Sequence, residues 1–283
     1  MTDAELAPAK VNLALHVTGQ RSDGYHLLDS LVVFTQAGDI LRGQEVQSGL
    51  TLRVAGPEAA GLAGDNDNLV LRAAHVMQAE GLALELEKHL PVASGLGGGS
   101  SDAAAALRLV ARLTGRALPE DVLSLGADVP VCMAATPCRM RGIGERVTPM
   151  PALPHMAMVL VNPRVGVSTP TVFAALARKD NPPLPDPLPD WADFAQFILW
   201  LGKHRNDLQA PACAAVPDIA QVLSALDNAG AALARMSGSG ATCFGLFPDM
   251  ERAERAAQTL RRVEPQWWVQ ATGLLQGGPD GTA

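Results

Sequence analysis

PVASGLGGGSSDAAAAL, residues 91–107, is a glycine loop that runs straight into a helix start, and the remaining chain is best read outward from it. Gly95, Gly97, Gly98 and Gly99 free the backbone to take positive φ and keep side chains away from a close ligand. Ser100, Ser101 and Asp102 offer N-cap oxygens, and the alanine-rich run that follows is closed by Thr114-Gly115. A helix N-terminus presents unpaired N–H groups and the positive end of its dipole, so a bare loop placed there suits phosphate oxygens. A plain strand-to-helix turn needs one or two glycines. Glycine at 95 and at 97–99, followed by two serines, points instead to an anion site.

Two better-known phosphate loops fail on the same residues. The P-loop requires Lys after its last glycine, but Gly99 is followed by Ser100, and Gly202-Lys203 lacks the earlier glycine. The dinucleotide fingerprint requires G-x-G-x-x-G, and the series from Gly95 reaches Ser100 at its last position. The loop therefore belongs to another phosphate-binding class.

The surrounding chain bounds what that class can be. Its 283 residues suffice for about two domains. A net charge of −7, from 22 Lys+Arg against 29 Asp+Glu, argues against a nucleic-acid partner, which would need basic patches to displace counterions. There is no apolar run of about 18 residues and no basic-then-apolar leader, which gives the expectation of a cytoplasmic chain without a membrane partner. Cys132, Cys138, Cys213 and Cys243 show no C-x-x-C or zinc spacing and read as reduced, mostly buried thiols. The six histidines are scattered singly, so any metal is expected to arrive with a phosphate substrate.

KVNLALHV, residues 10–17, alternates as a strand, with Val11, Leu13, Leu15 and Val17 on one face and Lys10, Asn12, Ala14 and His16 on the other. TGQRSDG at 18–24 is turn chemistry, and strands are predicted at 29–36, ending before Gly38-Asp39, and at 50–54. Residues 65–68 cap a helix expected to run to Glu80, and Leu82, Leu84 and Leu86 alternate on a strand that feeds the glycine loop. A short helix at 119–125 precedes Gly126-Ala127-Asp128-Val129-Pro130, where an acid is held by a proline-fixed turn. Beyond PMPALP at 149–154 the pattern gives a strand at 156–162, a helix at 170–178, a proline-rich loop at 181–189 and a helix at 191–201. A helix at 218–229, strands at 231–236 and 242–247, a helix at 249–262 and a strand at 266–271 complete the series. Without the proline-rich insertion and its helix this order is β-α-β-β-α-β, the ferredoxin-like arrangement. The predicted division is a domain at 1–153, a second at 154–275 and a flexible tail at 276–283. Ser237-Gly238-Ser239-Gly240-Ala241 is a second glycine turn, richer in glycine than a hairpin requires.

A lysine and an asparagine on one strand face, a phosphate loop, an acid on a rigid turn and a second glycine loop form a constellation for phosphoryl transfer. That chemistry asks mainly for positioned phosphates, positive charge and an orienting base. On these residues the chain resembles the GHMP small-molecule kinases, named for galactokinase, homoserine kinase, mevalonate kinase and phosphomevalonate kinase. The glycine loop is similar to their second signature motif. PAKVNLALHVTGQRSDGYHLLDS at 8–30, GADVPV at 126–131 and MSGSGATCFGLF at 236–247 resemble, in order, the branch that phosphorylates diphosphocytidyl-methylerythritol, and GQRSDGYH is the specific part.

The resemblance implies an α+β, two-domain GHMP kinase fold, with an N-terminal ATP domain like ribosomal protein S5 domain 2, a ferredoxin-like C-terminal domain and the active site in the cleft between them. It implies ATP and Mg2+, the 2-hydroxyl of diphosphocytidyl-methylerythritol as acceptor, and no obligate protein partner. Gly95, Leu96, Gly97, Gly98, Gly99, Ser100 and Ser101 would hold the ATP phosphates, with the adenosine near Asn68 and Leu69. Asp128 would be the base for the acceptor hydroxyl, with Lys10 holding that hydroxyl and the transferred phosphate. Asn12 would touch the substrate, Tyr25 and Phe173 would sandwich the cytosine, the His26 backbone would bond its edge, and Gly238, Ser239 and Gly240 would support the diphosphate side. Two places depart from the family pattern: Val32 stands where an aromatic is common, and His204-Arg205-Asn206-Asp207-Leu208-Gln209 replaces the usual Phe-Asn-Asp-Leu-Glu.

Overall fold

The computed structural model describes residues 3–64 and 67–275. Asp65, expected at a helix cap, and the expected tail from 276 lie outside the described residues. Strands β1 (Asp3–Gln20) and β2 (His26–Glu45) form one long antiparallel hairpin. One end of β2 also pairs with β4 (Leu82–Glu87) and the other with β5 (Cys138–Gly142). β3 (Leu50–Ala55) joins β4 in parallel, and β6 (Arg146–Pro149) joins β5. Helices α1 (Leu69–Val76), α2 (Gly98–Thr114) and α3 (Val129–Ala134) cover one face of this sheet through a core that includes Phe34, Leu41, Leu86 and Leu107.

The second sheet has the order β10-β7-β9-β8, formed by β7 (Ala157–Asn162), β8 (Leu233–Met236), β9 (Cys243–Phe247) and β10 (Trp268–Gly273). All its pairs are antiparallel. Alternation along β7 divides the work: Met158 and Leu160 face β1 and β2 with Val11, Leu13 and Val33, while Val159 and Val161 face helices α7 (Asp218–Asn228) and α8 (Met250–Val263). The layers therefore run helix, sheet, sheet, helix. Helices α4 (Thr169–Ala174), α5 (Phe194–Leu201) and α6 (Gln209–Ala215) lie in the long connection from β7 to α7. The β-α-β-β-α-β order is present, as the sequence predicts.

Several local expectations change. β2 runs through Gly38-Asp39 because its ladder to β1 continues there, Pro8 facing Gly38 and Ala7 facing Asp39. α1 ends at Val76 rather than Glu80, only a single 3-10 turn (Leu123–Leu125) forms in the predicted helix at 119–125, and α4 is shorter than its pattern. α6 is a helix that the sequence pattern did not announce. The clean alternation of β1 also breaks, because the register with β2 shifts between Asn12 and Ala14. A bulge re-aims side chains. Val11 and Leu13 consequently pack between the sheets, while Leu15 and Val17 join the core on the far face of the second sheet.

The proline-rich loop is fastened by a buried pair. Asp29 on β2 accepts two hydrogen bonds from Arg139 on β5, each 2.8 Å, and one from the Leu184 backbone N–H at 2.8 Å. Arg139 donates in turn to the carbonyls of Leu184 and Pro185. All four cysteines are free, Cys213 half-buried and the others buried, and burial first of all pushes the Cys132 thiol up to about 12.

Candidate active site

A cleft of about 570 Å³ opens where the glycine loop, β1, the turn before α3 and the β8–β9 turn meet. Lys10 and Asp128, 118 residues apart, touch across it, with Nζ donating to Oδ2 at 2.7 Å. Burial works against the Lys10 ammonium, and the Asp128 carboxylate beside it overrides that and holds its pKa above the usual lysine value. Lys10 is therefore a fixed positive charge. The Asp128 side chain is 34% exposed, open towards the cleft, because it stands at the N-terminal boundary of α3 and caps nothing.

The glycine loop is shaped from both sides. Gly97, at φ 64, is the N-cap of α2, and a Cβ there would stand 3.2 Å from the Lys10 side chain. Gly95, at φ 80, lies so close to the second glycine turn that a Cβ would meet the Ser237 carbonyl at 2.5 Å. Ser100, Ser101 and Asp102 are not caps; they lie inside the first turns of α2, whose leading N–H groups have no helical partner. Gly95, Gly97, Gly98, Gly99 and Ser100 line the cleft. Leu96 does not: it is fully buried between the sheets, and its carbonyl accepts from the Lys10 backbone N–H at 2.8 Å. Ser101 turns away as well, its hydroxyl donating to the Pro8 carbonyl at 2.7 Å.

Asn68 and Leu69 line one end of the cleft. Asn68 caps α1, its Oδ1 accepting from the Val70 N–H at 3.0 Å, so its side chain is committed to the helix. At the other end Gly238 and Ser239 face the cleft, and Ser239 hydrogen-bonds to Thr169 at the start of α4 at 2.6 Å. Gly240 does not face it; a Cβ there would strike Met236. Phe173 lines the cleft, but the ring stacked on it is that of His26, at 4.7 Å and 27°, while Tyr25 is 61% exposed. Val32 is core beneath α2 and takes no part.

Other contributors went unseen in the sequence. Lys88, buried under the loop, binds both Asp39 and Asp102, the latter at 2.8 Å. Asp39 also accepts from the N–H groups of His89 and Leu90, which launch the loop. Lys88 continues the parity of Leu82, Leu84 and Leu86, and a lysine in phase with an apolar face was the available signal. The divergent 204–209 segment supports the site indirectly. Asn206 gives both Nδ2 protons to the second glycine turn, to the carbonyls of Met236 and Gly238, each at 2.8 Å.

Residues 68–142 match the profile of the GHMP kinases N terminal domain, and residues 171–266 that of the GHMP kinases C terminal region. The chain is 58% identical, over 93% of its length and 95% of the relative's, to the 4-diphosphocytidyl-2-C-methyl-D-erythritol kinase of Ruegeria pomeroyi. It is 49% identical to the Rhizobium etli enzyme of the same name, over 97% of this chain and 95% of the relative. A crystal structure of 4-(cytidine 5'-diphospho)-2C-methyl-D-erythritol kinase superposes with a TM-score of 0.79 at 35% identity, covering 98% of this chain and all of that one. Homoserine kinase from Cytophaga hutchinsonii, at 18% identity and a TM-score of 0.69 over 98% of this chain and 96% of its own, shares the fold. The chain belongs to the 4-diphosphocytidyl-2-C-methyl-D-erythritol kinase family of the GHMP kinases.

Proposed function

We propose that the chain transfers the γ-phosphate of ATP to the 2-hydroxyl of 4-diphosphocytidyl-2-C-methyl-D-erythritol, with Lys10 and Asp128 as the catalytic pair. The observation that carries this reading is their 2.7 Å contact in a cleft shared with the glycine loop. In this reading the loop and the first N–H groups of α2 cradle the ATP phosphates. Asp128 accepts the proton of the acceptor hydroxyl, and Lys10 remains charged to hold that oxygen and the transferred phosphoryl group. The adenosine lies against Leu69, and the cytidine end extends past Gly238 and Ser239 towards Phe173. Residues 1–153 serve as the nucleotide domain and 154–275 as the substrate domain.

Mg2+ would arrive with the nucleotide, and a carboxylate oxygen of the protein would help to hold it. Asp102, whose buried Oδ1 has no hydrogen-bond partner beside the loop, is the residue that fits this demand. The ion would neutralise charge on the phosphate oxygens. No helix among the described residues is long and apolar enough to cross a membrane. We place the enzyme in the cytoplasm, where ATP is supplied.

The test offers γ-labelled ATP with diphosphocytidyl-methylerythritol, homoserine or mevalonate and follows label into the product. Transfer to the cytidine alcohol alone is expected. Transfer to homoserine or mevalonate in its place would overturn the assignment.

A further inference from the structure

Asn12 lies two residues beyond Lys10, at the point where the β1–β2 register shifts. Its backbone N–H leaves the ladder there and donates to Ser237 Oγ at 3.1 Å, while that hydroxyl donates onward to the Gly95 carbonyl at 3.0 Å. The Asn12 side chain is anchored separately. Nδ2 donates to Ser30 Oγ at 2.8 Å, and Ser30, fully buried on β2, donates to the Ala14 carbonyl at 2.6 Å. A hydroxyl carries a single proton. Because Ser30 spends it on Ala14, it can only accept from Asn12, and the amide has one orientation. Nδ2 faces Ser30, and Oδ1 is left without a partner.

Asn12 is 1% exposed and lines the cleft, and a Cβ on Gly238 would stand 3.6 Å from that oxygen. A buried carbonyl oxygen with no donor is costly, and a ligand that brings an O–H removes the cost. A phosphate oxygen, which brings only lone pairs, does not. The polarity of this amide therefore distinguishes an alcohol from the nucleotide phosphates in the same cleft.

We propose that Ser30 is a positioning residue that fixes the Asn12 amide so that Oδ1 accepts a hydrogen bond from a hydroxyl of the alcohol substrate. The inference rests on the alcohol-phosphorylating role given above. In Ser30→Ala the amide loses its anchor, and kcat/KM for the cytidine alcohol falls about tenfold, the worth of one hydrogen bond of ordinary strength. The nucleotide Kd stays unchanged. Ser30→Thr, which keeps the hydroxyl, restores most of the loss. In an Asn12→Ala background Ser30→Ala makes no further difference, because its effect passes through Asn12.

No loss in Ser30→Ala, or an equal loss in the Asn12→Ala background, overturns the proposal. A second readout is independent of turnover. The side-chain amide protons of Asn12, identified by their disappearance in Asn12→Ala, exchange with solvent more slowly in the unaltered protein than in Ser30→Ala. Equal exchange rates overturn the role of Ser30. A protein that does not phosphorylate the cytidine alcohol at all would overturn the substrate reading, and the exchange rates would still decide for Ser30.

Discussion

Lys10 and Asp128 illustrate how two opposed effects settle a residue's charge. Burial alone would push the Lys10 ammonium towards neutrality, and the carboxylate at 2.7 Å reverses the outcome. Asp128 remains open enough to the cleft to meet a substrate hydroxyl. Asp128→Asn keeps nearly the same shape, so the fold and nucleotide affinity are expected to survive while kcat falls about 10²–10⁴-fold, the usual range for a positioned base. Steady-state kinetics alongside nucleotide titration checks this. A fall of less than about threefold would recast Asp128 as an orienting group, since a loose phosphoryl-transfer transition state asks for little proton abstraction.

At the scale of the element, α2 is held by the charges beneath its first turns. Asp102 on α2 faces Lys88 at the end of β4, and Asp39 on β2 faces the same ammonium. Burial first, and then the second acid, drives the Asp102 carboxyl up to about 7 in spite of Lys88. For Lys88 burial again works against the charge, and the two acids hold it above the usual value. The raised Asp102 value lies above the unfolded one near 3.8, so the folded chain binds more protons than the unfolded chain in between. Its contribution to stability is therefore full below the unfolded value and is lost as pH rises through about 7. Asp102→Asn cannot titrate. Its thermal midpoint, relative to the unaltered protein, is expected to climb from about pH 5 to about pH 8. A constant difference across that range would remove Asp102 as the source.

On the scale of the whole molecule, the β1–β2 hairpin is shared by both halves, covered by α1–α3 on one face and by the second sheet on the other. Arg164, in the connection after β7, reaches back to Glu58 near β3 with two hydrogen bonds of 2.6 and 2.7 Å. Tyr25 and Phe173 likewise come from opposite halves, and in this structure His26 rests on Phe173 while Tyr25 stands in solvent. A cytosine clamp requires Tyr25 to swing over the base. Stacking of this kind is worth roughly 1–3 kcal/mol per base, so Tyr25→Ala and Phe173→Ala are each expected to raise KM for the cytidine substrate by about one to two decades and to leave KM for ATP nearly unchanged. Tyr25→Phe keeps the ring and should be mild. Unmoved KM values with a lower thermal midpoint would show that the two rings only pack.

Features that depend on neighbours along the chain are legible in the amino-acid order. Glycine at 95 and 97–99 ahead of an alanine-rich run specifies a loop and a helix start, because backbone freedom and helix propensity are local. Strand alternation put Lys10 and Asn12 on one face, and Gly126 with Pro130 put Asp128 on a rigid turn. Which groups of those motifs face the cleft depends instead on long-range packing. Ser101 is spent on Pro8, 93 residues away, and Leu96 on Lys10. The bulge after Asn12 is a property of pairing with β2, and so is the Ser30 anchor that orients the amide. Asn206 and Ser237 act through partners up to 225 residues distant. Buried hydrogen bonds are satisfied by whatever the fold brings near, and a linear pattern carries no record of that choice.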